Sequence, residues 1–198
     1  MFSLELIYRR IFHANPRVVC EVGVNEPRLC SVAGFIKDGS RGILVEPLPW
    51  HAQALREAFP LAEVHEAVCG DREGTMKLYD RGEGSWIESV PNGGAPDEHK
   101  NHSAMDREKF DQRFVREVKS VLFSSIDKGD IDVLCVDTEG AEWFVIQEMA
   151  SMPKMIRLET HFTHSGWVNP FMPEIDATLE RLGYSRIAQD VSDTLWIL

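Results

Sequence analysis

Three carboxylates crowd six residues, Asp137, Glu139 and Glu142, in the stretch CVDTEGAE that closes an apolar run. A fourth, Glu159, stands two residues before His161 at the end of another run, IRLETH. Neighbouring carboxylates raise one another's pKa, and a base that titrates near the working pH is the most effective at taking a proton from a weak acid such as an alcohol. Asp137, Glu139 and His161 are therefore the candidate catalytic groups. The same chemistry has a second use: Asp137, Glu159 and His161 offer oxygen and nitrogen ligands to Mg²⁺, which would acidify a bound hydroxyl. No tight ligand spacing marks a metal, so metal-free base catalysis is the first expectation. Asp137 and Glu139 also suit the N-terminus of the helix that follows, where negative charge is favourable. Glu142 lies further into that helix and reads as a supporting carboxylate. His164, in HFTHSGW, is placed to line an acceptor pocket, and His99 and His102 read as solvated.

A second set of polar groups sits nearer the front. EVGVNEP (21–27) has one glycine, Gly23, with Glu21 and Glu26 on either side and Pro27 where a backbone amide would help hold a phosphate. Pyrophosphate loops use several glycines and free helix N-terminal amides. This loop suits a neutral or cationic ligand better. Glu46, in LVEPLPW, follows Gly23 by about 20 residues at the end of the next apolar run, the position from which a carboxylate accepts both ribose hydroxyls. A nucleoside with a positive centre and no phosphate satisfies both observations, and S-adenosylmethionine is such a molecule. Glu21, Gly23, Asn25, Glu46, Pro47, Ala67, Val68 and Asp137 are the expected cofactor residues. An NAD-dependent oxidoreductase is disfavoured because the phosphate loop is missing.

The elements that must carry these groups alternate. Strand patterns at 17–24, 41–47, 62–70 and 131–137 are separated by helical ones near 27–37 and 49–59, the latter opening on Pro49, a favourable first helical residue. A short strand at 74–80 suits a sheet edge or hairpin, and 118–126 is ambiguous between strand and turn. The central strand should be 131–137, followed by a helix at 142–149, a strand at 155–162 and a helix at 173–183 closed by Gly183. The last two strands, 184–190 and 194–198, are too close for a parallel crossover and should pair antiparallel. Alternation of this kind implies an α/β doubly wound sheet, in which ligands bind beyond the carboxyl ends of the strands. The carboxylates then stand at the rim of a crevice. Before all of this, MFSLELIYRRIFHANP reads as an amphipathic helix stopped at Asn15-Pro16, without the features of a signal peptide.

One segment breaks the rhythm. Residues 80–113 are polar, bear Gly and Pro, and are poor in aliphatics. Connections of this length are functional or disordered, and Trp86 and Ile87 favour a lid. A lid must come from here or from another subunit, which leaves a homo-oligomer open.

The bounds agree. A chain of 198 residues fits one domain, 1–198, with a sizeable core. A net charge of −11 argues against a nucleic-acid partner. No apolar run reaches the ~18 residues of a membrane span. The four cysteines have no CxxC spacing and read as reduced, packed thiols, which points to the cytoplasm.

Together, EVGVNEP, LVEPLPW, EAVCG, IDVLCVDTEGAEWFVIQEM and IRLETH stand in the order and at roughly the spacing of the FkbM family of methyltransferases, which the chain resembles over about 18–162. The D-x-E-G-A-E run is the most specific element. The resemblance implies a class I methyltransferase (Rossmann-like) fold with a reversed C-terminal hairpin, S-adenosylmethionine as cofactor, and methyl transfer to a hydroxyl of a small molecule such as a sugar or polyketide. The sequence departs from the family pattern at Glu21, usually Asp, at Val24, usually Ala, and at Pro27, usually Gly. Two competing readings stand beside this one: an N-methyltransferase, and a non-catalytic module that binds a nucleoside or a partner.

Overall fold

The structure is a computed structural model that describes residues 3–91, 112–163 and 166–198. His99, His102, His164 and residues 92–111 of the long polar segment lie outside the described residues. From the N-terminus run α1 (Leu4–Phe12), β1 (Val18–Val22), α2 (Ala33–Lys37), β2 (Arg41–Val45), α3 (Pro49–Ala58), β3 (Glu63–His65), β4 (Val68–Cys69), β5 (Gly74–Tyr79) and β6 (Trp86–Ile87). There follow β7 (Val115–Val121), β8 (Val133–Val136), α4 (Glu142–Ile146), β9 (Met155–Glu159), β10 (His161–Phe162), β11 (Trp167–Val168), α5 (Met172–Arg181), β12 (Ser185–Gln189) and β13 (Asp193–Ile197).

The main sheet has seven strands in the order β12-β13-β9-β8-β1-β2-β3. Its five strands from β9 to β3 are parallel. β13 returns antiparallel against β9, and β12 pairs antiparallel with β13, which makes the expected closing hairpin. β8 lies at the centre, as its unbroken apolar run predicts. Side chains alternate between two cores. Cys20, Val22, Ile43 and Leu134 pack on one face, with Ile175 and Leu179 of α5. Val19, Leu44, Val133 and Cys135 pack on the other, with Tyr8, Phe35 and Leu55 of α1, α2 and α3. All four cysteines are buried and free. Among the described residues no helix is long and apolar enough to cross a membrane.

The expectation of one strand over 62–70 is corrected. The run splits into β3, in the main sheet, and β4, in a second sheet of order β4-β7-β5-β6. The cause lies in the neighbour. The Glu46 amide still bonds the His65 carbonyl at 3.0 Å, but the next amide on that side of the strand, that of Leu48, turns onto the Glu46 carboxylate at 2.9 Å instead of continuing the ladder. β3 therefore peels away, and Val68–Cys69 pairs with Ser120–Val121 of β7. The second sheet also takes up the start of the long polar segment. Trp86 and Ile87 form β6 against Tyr79 and Leu78, and Trp86 stacks on Tyr79 with centroids 5.0 Å apart. Trp86 is thus a core residue of this sheet. The helix expected over 27–37 is confined to Ala33–Lys37, because the residues before it form a loop held from below by Glu21.

Candidate functional site

At the carboxyl ends of β1, β2 and β8 the chain opens into a cleft walled by both sheets. Gly23 sets its floor. Its φ is +82°, and a Cβ there would stand 1.8 Å from the Asp137 carbonyl oxygen, so only glycine fits. Asn25, also in the left-handed region at φ +59°, donates its amide to Glu46 Oε2 at 2.8 Å. The Leu48 amide bonds Glu46 Oε1 at 2.9 Å. Glu46 is buried, and burial raises its pKa to about 7 despite these two amides. Each of its oxygens keeps a second lone pair. Pro47, Ala67 and Val68 also line the cleft. Sequence reasoning missed the facing wall, where Leu78, Ser85 and Ile87 of the second sheet and its turn close the cleft. Only the tertiary fold brings those residues there. Glu83, in the same turn, reaches Arg28 of the first loop at 3.0 Å.

Glu21 does not line the cleft. It is buried beneath the loop, where its carboxylate accepts the amides of Ser31 and Val32 at 3.1 and 3.2 Å. Its contribution is to hold the loop that carries Gly23 and Asn25.

The acidic groups converge through strand register. Cys135 of β8 pairs with Arg157 of β9. Two residues further along each chain, on the same face, come Asp137 and Glu159. β13 adds Asp193 opposite Glu159 and Leu195 opposite Arg157. Glu139 reaches the same place from the loop after β8, held at φ +55°. One carboxylate oxygen each from Asp137, Glu139 and Glu159 lies within 4.8 Å of the others. Glu159 and Glu139 are buried, and Glu159 Oε2 has no hydrogen-bond partner. Burial drives the Glu159 pKa well up, and the charges of Asp137 and Glu139 add to the rise. Asp137 is raised as well, by burial, though Arg157 opposes the shift. Arg157 is 6% exposed. It donates to Asp193 Oδ2 at 2.7 Å and to Ser31 Oγ at 2.6 Å.

Glu142 does different work. It accepts the Thr138 amide at 2.7 Å, the Thr138 hydroxyl at 2.8 Å, the Gly140 amide at 3.1 Å and the side-chain amide of Asn169. This fan of donors fixes the turn that presents Asp137 and Glu139. Asn169 carries no sequence signal, since only the fold brings it to Glu142.

His161 is not brought to the cluster. After Glu159 the amides of Thr160 and His161 both bond the Ser192 carbonyl, at 2.9 and 3.2 Å, which turns the chain towards the corner between β12 and β13. His161 Nε2 lies 2.8 Å from the Asp190 carbonyl oxygen, and Nδ1 lies 3.0 Å from Thr160 Oγ1. The residue faces a separate cavity with Phe162, Trp167 and Gln189. The third member beside Asp137 and Glu159 is therefore Glu139, in place of the histidine expected from the sequence.

Among solved structures, the chain is similar to monomeric WbdD at 10% identity and a TM-score of 0.50, over 98% of this chain and 39% of that one. It is similar to the O-methyltransferase TomG from Streptomyces achromogenes, solved with SAM, at 13% identity and a TM-score of 0.49, over 99% and 78% of the two chains. It is also similar to the 1,6-didemethyltoxoflavin-N1-methyltransferase of Burkholderia thailandensis, solved with S-adenosylhomocysteine, at 10% identity and a TM-score of 0.48, over 98% and 74%. Likeness at such identity concerns the fold alone. No curated protein matches the sequence. The family described as Methyltransferase FkbM domain matches residues 21–186. Five parallel strands, a reversed C-terminal hairpin and a polar cleft at the carboxyl ends of the strands agree with that match, and the chain belongs to the FkbM family of S-adenosylmethionine-dependent methyltransferases.

Proposed function

We propose that the protein transfers a methyl group from S-adenosylmethionine to a hydroxyl of a small molecule, such as a sugar, a polyketide or a related metabolite. The observation that carries this reading is one cleft lined by Gly23, Asn25, Glu46, Ala67 and Val68 together with Asp137 and Glu139. The cleft fits the cofactor at three points. Glu46 has lone pairs left for the two ribose hydroxyls. Gly23, whose missing Cβ lets the β1 loop lie directly against the Asp137 backbone, lines the cleft where the methionine part would sit. The excess of carboxylates suits a sulfonium, since a buried negative charge is stable only with a partner. When bound, S-adenosylmethionine supplies an electrophilic methyl group on that sulfonium.

The chain's own part is alignment and proton removal. The acceptor O–H gives its proton to the acidic cluster of Asp137, Glu139 and Glu159. The oxygen lone pair forms the new C–O bond, and the electrons of the broken C–S bond stay on sulfur, leaving S-adenosylhomocysteine and a methyl ether. Burial raises the Asp137 carboxyl to about 6 and also raises Glu159, and a carboxylate with a raised pKa is the better proton acceptor. Four free, buried thiols favour a reducing compartment, the cytoplasm.

The test is transfer of labelled methyl from S-adenosylmethionine to a panel of hydroxylated and aminated metabolites. Alkali-stable label on hydroxylated acceptors only, lost in Asp137→Asn, supports the reading. Label on amines alone would replace it with N-methylation. Tight cofactor binding with no label on any acceptor would favour a non-catalytic module.

A further inference from the structure

We propose that the Asp137–Glu139–Glu159 cluster is the seat of a divalent cation bound through oxygen, of the Mg²⁺ or Mn²⁺ type. The inference rests on the reading of the cleft above and deepens it, by making the cluster's action on the acceptor hydroxyl electrostatic.

Three observations lead here. The first is geometry. One oxygen from each of the three carboxylates lies within 4.8 Å of the others. Hard divalent cations hold oxygen ligands at ~2.0–2.6 Å, so oxygens of one coordination sphere stand no more than ~5 Å apart. The second is Glu159 Oε2. It is buried on a residue 7% exposed, and it has no hydrogen-bond partner. Such a group is costly to leave unmatched. The third is charge. Asp137, Glu139, Glu159 and Asp193 lie at this end of the sheet with Arg157, the one buried cation among the described residues, which is bonded to Asp193 and Ser31. With all four carboxylates ionised, Arg157 and a sulfonium in the cleft leave the group negative by about two charges. A divalent ion balances that remainder. Carboxylate-only donors suit Mg²⁺, Mn²⁺ or Ca²⁺ rather than the softer metals.

The register explains why the seat is built. Asp137 and Glu159 come from adjacent parallel strands, whose spacing of about 4.8 Å sets their carboxylates side by side. Glu139 closes the third side from a backbone in the left-handed region, φ +55°, that non-glycine residues seldom adopt. The three carboxylates would hold the ion as ionised ligands, and it would supply positive charge that acidifies a nearby acceptor hydroxyl; in that case water, and not the cluster itself, would take the proton.

The experiment is a titration of the whole protein with Mn²⁺, followed by the loss of the free-ion electron paramagnetic resonance signal. The cofactor product S-adenosylhomocysteine is titrated into the same preparation by calorimetry. One Mn²⁺ per chain, displaced by Mg²⁺ and weakened at least tenfold in both Glu159→Gln and Glu139→Gln, is the expected result. Absence of Mn²⁺ uptake by the unaltered protein at millimolar ion would overturn the proposal, and would point to a proton shared among the carboxylates instead. Binding of equal strength in the two variants would also overturn it, since the ion would then sit elsewhere. The calorimetric arm keeps the two readings apart: uptake of S-adenosylhomocysteine without Mn²⁺ removes only the cation.

Discussion

If Glu46 holds the ribose, cofactor affinity must follow its ionisation. In the free protein burial raises this carboxyl to about 7. Ribose hydroxyls donate to the ionised form and so lower its pKa in the complex. Above pH 7 the group is already ionised and affinity should be flat. Below pH 7 binding must first expel a proton, and affinity should fall as pH falls, by up to tenfold, or 1.36 kcal/mol, per unit. The decline ends at the lower pKa of the complex. At pH 6 about nine-tenths of the free protein carries the proton, so nearly one proton should be released per S-adenosylhomocysteine bound. Calorimetry in two buffers of different ionisation enthalpy counts that proton directly. Loss of one charge-assisted hydrogen bond costs ~1.5–3 kcal/mol, so Glu46→Gln should weaken binding ~10- to ~150-fold at pH 8. The same change should abolish most of the pH dependence between 5.5 and 7. A slope unchanged in Glu46→Gln, or unaltered affinity, would refute the assignment.

Other substitutions test the scaffold. Gly23→Ala should cost well over ~1 kcal/mol in denaturant unfolding and abolish cofactor binding, because its Cβ has nowhere to go beside the Asp137 carbonyl. Asp193→Ala strands the buried Arg157 guanidinium and should destabilise the chain by ~3–5 kcal/mol, measured the same way. Glu142→Ala removes one acceptor from four donors and should lower thermal stability and turnover together, the latter through disorder of the turn at Thr138–Gly140.

The alternation of strands and helices was legible because each buried strand is a short apolar run bounded by turn residues, and the closing hairpin because its link is too short to cross over. The cleft was legible at Gly23, Asn25, Glu46, Ala67 and Val68 because residues at strand ends inherit their place from the topology. Tertiary pairing was not legible. The split of 62–70 depends on the Leu48 amide, after a different strand, turning onto Glu46, and Trp86 reads as part of a polar segment until Tyr79 is known to lie beneath it. Glu21 was misplaced for a related reason. Position along β1 is visible in sequence, but not that the loop above would bend its amides onto that carboxylate. His161 looked equivalent to Glu159 because they stand two apart on one apparent strand. The break at Thr160, set by bonds to Ser192, removes the equivalence. Glu139 takes its place through a left-handed backbone that no residue type advertises.

The central claim, that this cleft receives the cofactor with its sulfur towards the acidic cluster, is tested most directly by a crystal structure with S-adenosylhomocysteine. The account predicts both ribose hydroxyls within ~2.5–3.0 Å of the Glu46 carboxylate, the methionine part against Gly23, and the sulfur facing Asp137 and Glu139. A nucleoside bound in the cavity beside His161, or lying in this cleft with its ribose away from Glu46, would contradict it.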